Sequence, residues 1–152
     1  LSVFDYKYFW LPSILTVSGI FLGLTNALIF DFFIDFNNFT FFKYSLLGSV
    51  FGYLIFKLMS LLGEFIFKKP VLGNGDSKLA AMIGAWLGVQ GMLITIWLAF
   101  YTAGLFVICG LVLKKVDRKK KIPFGIFLSL NAFLVWTMGN DFFIKIFTFF
   151  KY

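Results

Sequence analysis

The sequence predicts an all-α, polytopic transmembrane helical bundle, and three observations point to it. Long stretches carry no charge: Phe9–Phe30 runs for 22 residues and Leu79–Leu113 for 35, where about 20 suffice to cross a bilayer as helix. The chain is 61% hydrophobic, 22% aromatic and only 14% charged, against about 25% charged in a soluble domain. The alternation of polar and apolar residues over roughly ten positions that marks a membrane β-barrel strand is absent.

The elements follow in order. Phe9–Phe30 reads as one span, with Pro12 near its start. Asp31–Lys43, "DFFIDFNNFTFFK", reads as an aromatic connector suited to a membrane interface. Tyr44–Phe67 is the next span, carrying Lys57 near its middle and Glu64 near its end. These two charges are seven residues apart and so share one helix face. They read either as the lining of a wet groove or as an interior pair too distant to touch, with the lysine snorkelling.

Lys68–Lys78 reads as a loop with Pro70, Gly73 and Gly75. Leu79–Leu113 is too long for one span and short for two, so a tight hairpin or a re-entrant helix plus a span is expected, with a breaking point at Gly88 or Gly91. Lys114–Lys121, "KKVDRKKK", is a basic loop, Phe124–Gly139 a short last span, and the chain closes on an amphipathic aromatic tail. No linker divides the chain, so residues 1–152 are read as one catalytic membrane domain. The opening "LSVF" looks like the end of an apolar helix, as in a chain truncated at its N-terminus.

Charge orients the bundle. The net charge is +7, from 14 Lys and Arg against 7 Asp and Glu. Six of the basic residues fall in Lys114–Lys121, and Lys7, Lys68, Lys69 and Lys78 add four more. The positive-inside rule puts these segments in the cytoplasm. Crossing parity then requires Leu79–Leu113 to begin and end on that side, which favours the hairpin. Asp5 and Asp76, 71 residues apart, fall on the same membrane face. The basic run reads as an orientation signal and a lipid contact, not as a nucleic-acid platform.

There is no His, and the one cysteine, Cys109, lies in an apolar run and reads as a small core residue. No internal disulfide and no multi-Cys zinc site can form, and no metal or cofactor is expected. Two carboxylates at one membrane face are the most chemical feature left. An aspartyl pair hydrolyses an amide without His, Cys or Ser: one carboxylate takes a proton from water while the other, protonated, donates to the carbonyl oxygen. Gly73 and Gly75 would permit unusual backbone shapes and close approach of a substrate strand. Asp76 at a helix N-terminus would be favoured as an anion, with Lys78 beside it. A bland reading stands alongside: Asp76 and Ser77 cap a helix starting at Lys78 or Leu79, and Asp5 is a solvated loop residue. On that reading the chain is a non-catalytic scaffold or transporter subunit, with the aspartates as caps or ion ligands.

"GNGDSKLAAMIGAWLG", residues 73–88, resembles the second active-site motif of the type IV prepilin peptidases, a GxGD family of membrane aspartic proteases. The family's Lys-Leu pair and Gly-Ala-Trp segment match Lys78, Leu79 and Gly84–Trp86. "FDYKYFWLPSILT" resembles its first motif and maps the first catalytic aspartate onto Asp5, with Leu11-Pro12 and Leu15-Thr16 in place. "GSVFGYL" at Gly48–Leu54 and "KIPFG" at Lys121–Gly125 match further segments in order. The chain departs from the pattern at Ser13, where Asp or Asn is usual, and at Pro70, where an acidic residue is usual. Presenilin-like enzymes share GxGD but carry a Tyr-Asp partner motif, and Asp5 follows Phe4.

The resemblance implies an endopeptidase with catalytic Asp5 and Asp76, supported by Pro12, Gly73, Gly75 and Lys78. The implied substrates are prepilins or pseudopilins, bearing a short basic leader that ends in Gly before an apolar helix. The implied setting is the bacterial inner membrane, with cleavage at the cytoplasmic face in service of type IV pili or protein secretion. Longer family members add N-methyltransferase activity and a zinc-binding Cys-pair domain. S-adenosylmethionine is therefore expected only if such a half exists outside this chain.

Overall fold

The computed structural model describes residues 13–34, 39–68, 73–112 and 124–139, together with 142 and 145. Every regular element among them is helical: α1 (Ser13–Ile34), α2 (Thr40–Phe67), α3 (Asn74–Val112) and α4 (Phe124–Met138). Three candidate spans, Ile14–Phe33, Thr40–Ile66 and Gly75–Gly110, are long and apolar enough to cross a membrane. The predicted all-α membrane bundle is thus the observed one. At about 1.5 Å per residue α4 is roughly 22 Å long, short of a bilayer's roughly 30 Å core.

Two of the predicted connectors are partly helix. α1 continues through Asp31 to Ile34, and α2 already starts at Thr40. The reason lies in Asp31, which is completely buried. Its Oδ1 accepts the Phe41 N–H at 3.1 Å and its Oδ2 the Phe42 N–H at 2.7 Å. These are orphan donors of the first turn of α2, since Phe39 at the cap position offers no side-chain acceptor. The Phe30 and Phe41 rings pack at 6.1 Å beside this staple. The predicted loop before Leu79 is also shorter than expected, because α3 begins at Asn74.

α3 breaks at Gly88, where φ is 68° and ψ is −174°, a backbone that side chains disfavour. Of the two expected breaking points, Gly91 is buried inside the helix and its carbonyl accepts the Thr95 hydroxyl at 2.7 Å. The chain turns back at Gly88. Tyr44 of α2 lies against Gly88, with Phe56 a dozen residues along α2 and Phe100 a dozen beyond the break. A straight α3 would hold those two rings roughly 36 Å apart. Instead the Phe124 ring bridges them, 6.0 Å from Phe56 and 5.0 Å from Phe100. The hairpin favoured by crossing parity is therefore present, with a first arm before Gly88 and a second arm after it.

The core draws on α2, both arms and α4: Phe56, Leu79, Ala80, Ile83, Met92, Ile96, Ala99 and Leu128. Between α2 and the first arm the backbones nearly touch. A methyl added at Gly52 would lie 2.6 Å from the Ala80 carbonyl oxygen, and one at Gly84 would overlap the Gly48 carbonyl. Small residues at four-residue spacing permit that approach, as in membrane helix pairs generally. Asn131 of α4 joins the second arm by donating to the Thr102 hydroxyl at 2.9 Å. The outer surface exposes Phe21, Leu61, Phe65, Trp97 and Trp136, apolar residues that suit lipid. Cys109 is exposed there, not packed in the core, and Glu64 is exposed while Lys57 is half-buried, so they form no interior pair.

Candidate active site

Asp76 is the third residue of α3, and only 9% of its surface is accessible. Its N–H donates to the Gly73 carbonyl at 3.1 Å, so Gly73 occupies the cap position. This corrects the bland reading in one respect: the helix starts ahead of Asp76, and Asp76 is not its N-cap. A carboxylate in a first turn meets the positive end of the helix dipole. Ser77 is buried beside it, and Thr16, Asp76 and Ser77 are each engaged in polar interactions.

The glycines play a different part from the expected one. The positive-φ glycines among the described residues are Gly88 and Gly139; Gly73 and Gly75 take backbone shapes open to any residue. Space around Gly73 is also ordinary, since an added methyl would sit 3.9 Å from Asp76 Oδ2. What these positions contribute is bareness: Gly73 is exposed, and no side chain there screens the carboxylate. Lys78 is half-buried one turn into the helix.

Packing fixes the level of Asp76 in the bundle. α2 and the first arm run antiparallel, with Tyr44 against Gly88, Gly48 against Gly84 and Gly52 against Ala80. One turn further, Phe56 is level with Asp76. α1 runs parallel to the first arm: Gly19 packs on Met82, and a methyl at Gly23 would lie 2.9 Å from Trp86 Cδ1. The Trp86 indole N–H donates to the Gly19 carbonyl at 2.9 Å. Continued backwards, that register sets Ser13 level with Asp76. The described starts of α1 and α3 therefore lie at one end of the bundle. α4 begins at that end too, with the Phe124 ring between those of Phe56 and Phe100.

Asp76 is also recessed. α2 continues from Lys57 to Phe67 past the Asp76 level, roughly 16 Å at about 1.5 Å per residue. Leu61, Leu62, Phe65 and Ile66 are exposed along that stretch, and so is Glu64. Lys57 lies at the Asp76 level along α2.

Asp5 and Pro12 fall outside the described residues. Among the described residues, no group of three His, Cys, Asp or Glu side chains is arranged to hold a metal ion. Two cavities among the described residues lie away from Asp76. One of about 240 Å³ is an apolar groove between the first arm and α4, lined by Met82, Trp86, Ala132 and Trp136 among others. Another of about 520 Å³ surrounds the Gly88 turn. Sequence reasoning passed over Asp31, because a carboxylate that caps a helix ten residues downstream leaves no local pattern.

The profile of the type IV leader peptidase family matches residues 1–109. The prepilin leader peptidase/N-methyltransferase of Xanthomonas campestris pv. campestris is 32% identical over 141 residues, covering 93% of this chain and 47% of its own length. The protein of the same name from Pseudomonas aeruginosa is 31% identical over 93% of this chain and 46% of its own. That of Pectobacterium carotovorum subsp. carotovorum is 32% identical over 87% and 45%. The chain thus spans about half the length of the curated relatives it matches. No solved structure matches it.

Proposed function

The chain belongs to the type IV leader peptidase family, and from that premise we propose that it is a membrane aspartic endopeptidase that removes the leader of prepilin-like or pseudopilin precursors. Residues 1–152 form one catalytic membrane domain, and Asp5 and Asp76 are the catalytic pair. The observation that carries this reading is the shared level of two helix starts. Asp76 is buried in the first turn of α3, and α1, whose Ser13 is level with it, starts eight residues after Asp5.

In the proposed mechanism the ionised carboxylate takes a proton from a water molecule as that water attacks the scissile carbonyl. The other carboxyl, protonated, donates to the carbonyl oxygen, and the proton gained from water is passed to the leaving amine. No covalent enzyme intermediate forms. Bare Gly73 and Gly75 admit the substrate strand, and Lys78 and Pro12 belong to the two motifs in support. The substrate's apolar helix stays in lipid while its basic leader reaches the site.

The basic segments at 68–78 and 114–121 support an Asp76 end that faces the cytoplasm of a bacterial inner membrane. Membrane lipid is the surrounding partner, and nucleic acid is not. The peptidase step requires no cofactor. The relatives' names include N-methyltransferase, for which S-adenosylmethionine would serve, and no residue of this chain is assigned to that reaction.

The test is cleavage of a prepilin-like precursor in membranes holding the wild type, Asp5→Asn or Asp76→Asn at equal abundance. Wild-type membranes release the leader and neither variant does. Leader release by either variant at the wild-type rate contradicts the assignment.

A further inference from the structure

We propose that the Gly88 turn binds one glycerophospholipid of the leaflet opposite the Asp76 end. Its phosphodiester occupies the polar cavity at the turn, and one acyl chain lies in the groove between the first arm and α4. This site is at the far end of the bundle and does not depend on the peptidase reading.

The two cavities share walls. Trp86, Leu87 and Trp136 line both the cavity of about 520 Å³ and the groove of about 240 Å³. Their chemistry differs. The groove is completed by apolar side chains, Met82, Ile83, Ala132 and Phe133. The cavity instead takes in Ser45, Gly88 and Gln90. Their order along the bundle is that of a lipid. Phe41 and Tyr44 line the cavity and stand in the first turns of α2, which places it near a membrane interface, where aromatic side chains gather. Met82 and Ile83 lie roughly one and a half turns from Gly88 toward Asp76. The groove therefore leads from the cavity into the apolar band.

The cavity's polar groups call for an anion. Ser45 is 8% exposed, and among the described residues its hydroxyl has no hydrogen-bond partner. The Gln90 side chain has none there either. A buried hydroxyl left unbonded is costly. Val89 and Gln90 open the second arm after the break at Gly88, so their N–H groups have no carbonyl of that arm to bond. In a membrane, backbone donors need partners from protein or ligand. A helix start is also the positive end of its dipole and favours negative charge. Among the described residues no acidic side chain lines the cavity to oppose it. The Trp86 indole N–H takes no part, since it is donated to the Gly19 carbonyl. A phosphodiester offers acceptors to these donors, and the chain it carries matches the groove. Free phosphate would leave the groove unfilled, and a lipid without phosphate would leave the donors unmet.

The test is native mass spectrometry of the delipidated full chain released from detergent micelles. Three probes are added separately: palmitoyl-oleoyl phosphatidylglycerol, the diacylglycerol with the same chains, and inorganic phosphate. The expected result is one phosphatidylglycerol retained per chain, with diacylglycerol bound at least about tenfold more weakly and phosphate neither retained nor displacing the lipid. Ser45→Ala weakens phosphatidylglycerol binding about fivefold and leaves diacylglycerol unchanged. Ala132→Trp fills the groove and weakens both. Trp97→Ala, on the exposed outer side of the second arm, changes neither. A second readout is the thermal midpoint, which phosphatidylglycerol raises more in the wild type than in Ser45→Ala. If Ala132→Trp does not fold, Ser45→Ala and the comparison of headgroups decide. Equal retention of phosphatidylglycerol and diacylglycerol overturns the proposal, as does displacement of the lipid by phosphate. So does lipid retention in Ser45→Ala equal to that of the wild type, or the absence of any retained lipid.

Discussion

Asp31 and Asp76 are both buried carboxylates in an apolar bundle, and they are differently placed. Asp31 closes the turn between α1 and α2: each of its oxygens accepts a backbone N–H from the start of α2. Asp76 leaves the cap of its own helix to Gly73, sits under a bare, exposed position, and shares its level with the start of α1. Burial of a charge in a membrane protein marks a residue that matters, but it does not say why. Each oxygen of Asp31 is held by a backbone donor, which marks a structural staple, while Asp76 is set apart as the candidate catalytic group by its place at the level of the α1 start.

Substituting each in turn should sharpen the contrast. Asp76→Asn is isosteric and should lower leader cleavage at least about a hundredfold, the scale of lost acid–base catalysis, with abundance and thermal midpoint in detergent unchanged. Asp31→Ala should do the reverse. Removing a cap acceptor costs about 1–2 kcal/mol, read as a lower thermal midpoint, while cleavage per folded molecule is retained. If Asp31→Ala abolished cleavage in protein that remained folded, the division between the two carboxylates would collapse.

Between these two lies the packing that carries Asp76 to its level. Gly84→Val places a branched side chain against the Gly48 carbonyl. Overpacking of this kind costs about 1–3 kcal/mol, and here it should lower both the thermal midpoint and cleavage. The smallest effect on cleavage is expected at the turn. Gly88→Ala forces a side chain into φ 68°, ψ −174°, a region essentially reserved for glycine, for about 1–3 kcal/mol, and should lower the midpoint while leaving KM for the precursor unchanged.

The sequence made the spans and the break in Leu79–Leu113 legible, because each rests on composition along the chain. Uncharged length marks a span, and glycine marks a bend. The helix boundaries at Asp31 and Asn74 were less legible. Asp31 extends two helices by a tertiary hydrogen bond, and Gly73 caps with a carbonyl that every residue has. The motif identified Asp76, but the recess around it arises from α2 overrunning the first arm, a relation between helices that no local pattern encodes. The unusual backbone angles expected at Gly73 and Gly75 occur instead at Gly88 and Gly139 among the described residues.

The central claim is that the two aspartates meet although 71 residues separate them. It is tested most directly by cysteines at 5 and 76 in a Cys109→Ser background, treated with a short thiol crosslinker in native membranes. Cysteines at 30 and 41, whose native rings pack at 6.1 Å, serve as the folded control. The account predicts a crosslink in both pairs. A crosslink at 30 and 41 with none at 5 and 76 would contradict it.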